Sequence, residues 1–77
     1  MYLLIEHNGT ADHLKIAEKI KYYAEDTYGA TCEDSVSYDN QISLYGDNLE
    51  KVASFTNDPS DTELQFYCGL IYNEEDE

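Results

Sequence analysis

The side chains best suited to covalent or metal chemistry in this 77-residue chain are few: Cys32, Cys68, His7 and His13. They form no Cys-x-x-Cys or His-x-x-x-His pattern, and two thiols with two distant imidazoles give no zinc signature. Asp58-Pro59-Ser60-Asp61-Thr62-Glu63 is acidic but lacks the Asp-x-Asp-x-Asp-Gly spacing of a calcium loop. No glycine-rich phosphate loop is present, and no motif joins a cysteine to a histidine as a nucleophile pair. Adjacent carboxylates such as Glu33-Asp34 arise readily by chance when 17 acids occupy 77 positions. A non-enzymatic protein without cofactor or metal is therefore expected. His7 and His13 are expected at the surface, at a turn and at a helix start. Two cysteines are too few for a disulfide scaffold, so free, buried thiols are expected.

Charge is the stronger signal. The 17 Asp and Glu face 4 Lys, a net of −13, yet 42% of the residues are hydrophobic and eight Tyr and two Phe are present. Direct nucleic-acid binding is disfavoured, because phosphate contacts come mainly from Lys and Arg. An anionic membrane is disfavoured for the same reason, and so many aromatics argue against plain disorder. The charge is also uneven. Residues 1–29 hold five acids and three lysines, whereas residues 30–77 hold twelve acids and one lysine. Solubility alone asks for a net charge of only about 2–8 in magnitude, and halophilic composition would spread acids over the whole surface. The excess points instead to a surface for a basic partner, where carboxylates meet Lys or Arg in charge-assisted pairs. The residues in position to form it are Glu33, Asp34, Asp39, Asp47, Glu50, Asp58, Asp61 and Glu63. Tyr38, Tyr45 and Tyr67 would stack on guanidinium groups.

Hydrophobic spacing supplies the elements that must position these residues. Tyr2–Ile5 is a short apolar run suited to a central strand. It stops at Glu6 and has no basic flank, so neither a signal peptide nor a membrane span is expected, and a cytoplasmic setting is. Thr10 is a helix cap, Ala11–Tyr28 carries a helical stripe through Leu14, Ala17, Ile20 and Ala24, and Gly29 closes it. Residues 32–45 read as a β-hairpin. Its loop is expected to be Asp39-Asn40-Gln41, because an odd length keeps Val36, Ile42 and Leu44 on one face. Asp47-Asn48-Leu49-Glu50 resembles a capping box before a short helix, with Leu49, Val52, Ala53 and Thr56 at helical spacing, that should stop before Asp58-Pro59. The strict alternation of Leu64, Phe66, Cys68, Leu70 and Tyr72 predicts a final strand. Residues 1–72 are thus expected to form one α+β domain and residues 73–77 an acidic tail. The predicted order is β-α-β-β-α-β, a ferredoxin-like split βαβ with an antiparallel sheet and one long and one short helix. The alternative, with the second helix demoted to a loop, is β-α-β-β-β. The ferredoxin-like arrangement places Cys32 and Cys68 on opposite sheet edges, too far apart to bond.

Two resemblances bear on function. Asp34-Ser35-Val36 is similar to the Asp-Ser-Leu site of acyl carrier proteins, but there the serine begins a long helix, and alternation after Ser35 excludes one. In size, acidity and tyrosine content the whole chain resembles the small phage-encoded anti-defence proteins, the anti-CRISPR and anti-restriction inhibitors that include DNA mimics. No diagnostic motif accompanies the resemblance. It implies a non-enzymatic inhibitor, acting in the host cytoplasm, that occludes the nucleic-acid-binding surface of a nuclease complex. An acidic regulatory or assembly domain that forms homodimers or binds another protein is the alternative.

Overall fold

The computed structural model describes residues 1–75. It contains β1 (Tyr2–His7), α1 (Ala11–Tyr28), β2 (Thr31–Val36), β3 (Ile42–Tyr45), β4 (Lys51–Phe55) and α2 (Asp61–Glu75). The strands form one mixed sheet in the order β2-β1-β3-β4. β1 pairs parallel with β2 and antiparallel with β3, and β3 pairs antiparallel with β4. The class is α+β, with four strands and two helices. The order β-α-β-β-β-α opens as the alternative reading does and then adds a helix.

α1 forms as its sequence dictates. The Thr10 hydroxyl accepts from the His13 amide, and Gly29 adopts the left-handed conformation (φ 65°, ψ 32°) that ends the helix. Ala17, Ile20 and Ala24 are its buried stripe. They pack on Leu3 and Ile5 of β1 and on Leu44 of β3, together with Leu64, Cys68 and Ile71 of α2. Both helices therefore cover one face of the sheet. The other face carries Tyr2, Leu4, Glu6, Glu33 and Tyr45, and among the described residues no helix lies over it.

Three local expectations are corrected. The predicted 32–45 hairpin does not form, because β1 lies between β2 and β3. β1 is the most apolar strand and gains a neighbour on each side. β3, whose Ile42, Ser43 and Leu44 are all buried, takes an interior place, and the acid-rich β2 goes to the edge. The sheet is accordingly mixed and not wholly antiparallel. Residues 51–55, predicted as the short helix, form β4. Asp47 and Glu50 sit in the β3–β4 turn, closed by the Gly46 amide donating to the Glu50 carbonyl. So short a helix is weak without tertiary support, whereas here Ala53 and Phe55 alternate inward against Leu44 and Ile42.

The predicted last strand, finally, is α2. The run is apolar at so many positions that both periods fit it. Leu64, Tyr67, Cys68 and Ile71 form a helical stripe, with Leu64, Cys68 and Ile71 fully buried. Ser60-x-x-Glu63 caps the helix: the Glu63 amide donates to Ser60 Oγ, and the same hydroxyl lies 3.4 Å from Glu63 Oε1. The expected tail begins inside α2, which runs to Glu75, and residues 76 and 77 lie outside the described residues.

Three smaller features stand out. His7, expected at the surface, is 3% exposed, and its Nδ1 accepts from the Gly9 amide at 3.0 Å. Cys32 and Cys68 are free thiols as expected, but Cys68 reaches the core from α2, not from a sheet edge. The β3–β4 turn also holds Leu49 in the left-handed region (φ 57°) with its side chain exposed. A Leu there is strained by roughly 1 kcal/mol. Leu49→Asn is expected to raise the urea midpoint, by up to about 1 kcal/mol in stability; a lowered midpoint would show that the Leu49 side chain makes a contact that matters more.

Candidate functional site

The structure divides the residues singled out from the sequence into three groups. Asp58, Asp61 and Glu63 lie where α2 begins. Asp58 accepts from Lys19 Nζ at 3.1 Å, while Asp61 and Glu63 occupy the first helical turn, where negative charge complements the peptide dipoles. Their local roles are structural. Asp47 and Glu50 lie at the opposite end of the sheet, and Asp47 Oδ1 accepts from the Tyr2 amide at 2.8 Å. The third group runs along one border of the molecule: Glu33 and Asp34 on β2, then Tyr38 and Asp39 in the segment that follows it. All four are exposed, Tyr38 completely.

The other two tyrosines do not join this border. Tyr67 is half-buried against the core, edge-on to Phe55 with ring centroids 5.6 Å apart. Tyr45, half-buried on the open face, donates its hydroxyl to Glu6 Oε1 at 3.4 Å. Burial first, and Glu6 second, raise its phenol above the usual range. Tyr2 behaves alike: its hydroxyl donates to Glu33 Oε2 at 3.1 Å, and desolvation, then Glu33, raise it.

Glu25, Asp26 and Tyr22 extend the β2 border and were not singled out from the sequence. They lie in the C-terminal part of α1, where together with Tyr23 they line a shallow hollow. Glu25 and Asp34 both act on the Cys32 thiol. Burial raises that thiol most, Glu25 adds to the rise, Lys21 opposes it and Asp34 adds again. Glu25 on α1 and Asp34 on β2 thus both lie within electrostatic reach of Cys32. A local signal was available. The last turn of α1 contains no basic residue, although a helix C-terminus disfavours negative charge by about 0.3–1 kcal/mol per residue. The last turn of α2 likewise contains no basic residue. The two helix C-termini lie side by side, with the Tyr28 and Tyr72 rings 5.0 Å apart.

Like charges gathered on one border repel through partly screened space, and added salt shortens the reach of that repulsion. Melting temperature is expected to rise as sodium chloride is raised from low to moderate concentration. A flat response would show that the carboxylates are too far apart to repel.

The class of protein thus defined is a small two-layer α+β domain with one open sheet face and one acidic border. Comparison with known proteins goes no further: no protein-family profile matches the chain, and neither a curated protein nor a solved structure does. Among the described residues, no three or more His, Cys, Asp or Glu side chains are placed to hold a metal ion, and no helix is long and apolar enough to cross a membrane.

Proposed function

We propose that this protein is a non-enzymatic inhibitor that binds and occludes a basic, nucleic-acid-binding surface of a target protein, in the manner of an anti-CRISPR or anti-restriction protein of phage. The observation that carries the reading is the border formed by Glu25, Asp26, Glu33, Asp34, Tyr38 and Asp39, part of which sits where a helix end disfavours it. Carboxylates kept at a local cost to the fold, beside exposed Tyr22 and Tyr38, suit a partner rich in Arg and Lys. Inhibition is by competition, without turnover. Association is fast and salt-sensitive, because opposite charge steers the encounter.

The test is a pull-down from a host lysate at low and moderate salt, followed by kinetics on the recovered target. A nuclease or nucleic-acid-binding complex is expected, displaced by duplex DNA. Converting Glu33, Asp34 and Asp39 together to lysine is expected to slow association at low salt by about tenfold or more. Converting Asp12, Glu18 and Glu50 together to lysine, an equal change of charge at exposed acids away from this border, serves as the control. Equal loss in the two variants would mean that net charge alone, and not this border, governs binding. No loss in either would remove the electrostatic basis of the proposal.

A further inference from the structure

The sheet has two edges, and they differ. β4 is short, begins with Lys51, and its pairing with β3 is interrupted by a register shift at Leu44/Tyr45. Lysine, brevity and a bulge are the usual devices that keep an edge from pairing further. β2 has no lysine, no bulge and full length; its guard is the acid pair Glu33 and Asp34, which bars a like-charged strand and admits a basic one. Its six residues, Thr31–Val36, pair with β1 in one unbroken parallel register and contain no proline or lysine. The Thr31 amide donates to the Met1 carbonyl and the Ser37 amide to the His7 carbonyl. Alternate residues of a strand point their backbone groups to the same side. Thr31, Glu33 and Ser35 therefore bond toward β1, and the N–H and C=O groups of Cys32, Asp34 and Val36 face outward along the edge.

We propose that this edge is a strand-addition site, and that its occupant is an extended segment of a partner protein with two adjacent basic residues. The proposal rests on the basic-partner reading above and states how that partner is held. Register decides the sequence it takes. Leu4 pairs with Glu33 and Ile5 with Asp34, so Glu33 projects on the open face and Asp34 on the helix face. An antiparallel strand added to β2 sets consecutive residues opposite these two acids, one on each face. Both must be Lys or Arg to meet them, since like charges placed directly opposite are destabilising. Cys32 and Val36 lie on the same face as Asp34 and favour apolar residues two positions away on either side. A second copy of this chain is the wrong occupant, because it would bring its own Glu33 and Asp34 against the pair. Backbone bonds then hold the segment and the acids select it.

The test uses the full chain, labelled with nitrogen-15, and the capped peptide Val-Thr-Lys-Lys-Val-Thr at low ionic strength. Amide shifts and slowed hydrogen exchange, by about tenfold at saturation, are expected at Cys32, Asp34 and Val36. The Glu33 and Ser35 amides, already bonded to β1, should gain no protection. The same peptide, N-methylated on the residues whose amides face β2, is expected to bind about tenfold more weakly or worse. Asp34→Lys, a change at an exposed edge position, is expected to weaken the Lys-Lys peptide and to favour the Val-Thr-Glu-Lys-Val-Thr counterpart, in which only the residue opposite position 34 is reversed. Equal binding of the methylated and unmethylated peptides, without protection at the three amides, overturns strand addition and leaves the acidic-border reading standing. If neither peptide nor polylysine binds, the basic-partner reading falls with it.

Discussion

Replacing Ile5 with alanine is expected to destabilise the fold by about 2–5 kcal/mol, the usual range for removing a large aliphatic group from a packed core. Ile5 is fully buried in β1, the strand that touches both β2 and β3, and it pairs with Asp34 on one side and Leu44 on the other. α1 packs on the same face through Ala17, Ile20 and Ala24. At roughly 0.05–0.15 kcal/mol per residue, the whole domain has only about 4–12 kcal/mol to lose. The loss is therefore a large share of the total, and the urea midpoint should fall steeply. Leu4→Ala is the matched control, since Leu4 points to the open face and is only half-buried; about 1 kcal/mol is expected there. Urea titrations of the two variants decide the matter. If Leu4→Ala is the more damaging, the assignment of covered and open faces is reversed.

The second large effect lies at alkaline pH. The Cys68 thiol is fully enclosed on the inner side of α2, and burial, reinforced by Cys32, pushes it up from 9.0 to about 11. The unfolded chain releases this proton near pH 9, whereas the folded chain holds it until about 11. Between those values the folded state binds more protons, so stability falls as pH rises. The loss approaches roughly 2–3 kcal/mol across the window, at about 1.4 kcal/mol per pH unit. Below pH 9 the group contributes its full share and the curve is flat in this respect. Cys68→Ala lowers stability at pH 8 through the small void it leaves, but it should flatten the decline between pH 9 and 11. Parallel declines in the two proteins would mean that other groups, such as Tyr2 and Tyr45, dominate the alkaline titration.

Much of this fold is legible in the sequence where an element is long or capped on its own. α1 shows a helical stripe over 18 residues, with Thr10 and Gly29 at its ends, and it forms where its spacing requires. Segments 47–56 and 64–72 are not legible in this way. Leu49, Val52, Ala53 and Thr56 happen to match a helical period, yet β3 offers Ala53 and Phe55 a partner that a local pattern cannot reveal. The 64–72 run fits two periods, and the deciding signal is upstream, in the Ser60-x-x-Glu63 cap. The insertion of β1 between β2 and β3 is a long-range fact invisible to adjacent residues. The acidic border was half visible. Glu33, Asp34, Tyr38 and Asp39 are near in sequence, whereas Glu25 and Asp26 join them only because α1 packs against β2.

Because β4 runs parallel to β1, the helix that follows each of them returns in the same direction, and α1 and α2 are aligned head to head. In many helical pairs the two axes oppose and their peptide dipoles cancel; here they add. Glu25 and Asp26 sit at the negative pole of that sum. The molecule therefore has an electrical axis as well as a net charge. Against that sum stand Asp12, Asp61 and Glu63 in the first turns, so side-chain charge lies at both ends of the helix pair while the peptide dipoles point one way. For the inhibitor proposed here, the aligned dipoles tip a basic partner toward the Tyr28–Tyr72 end.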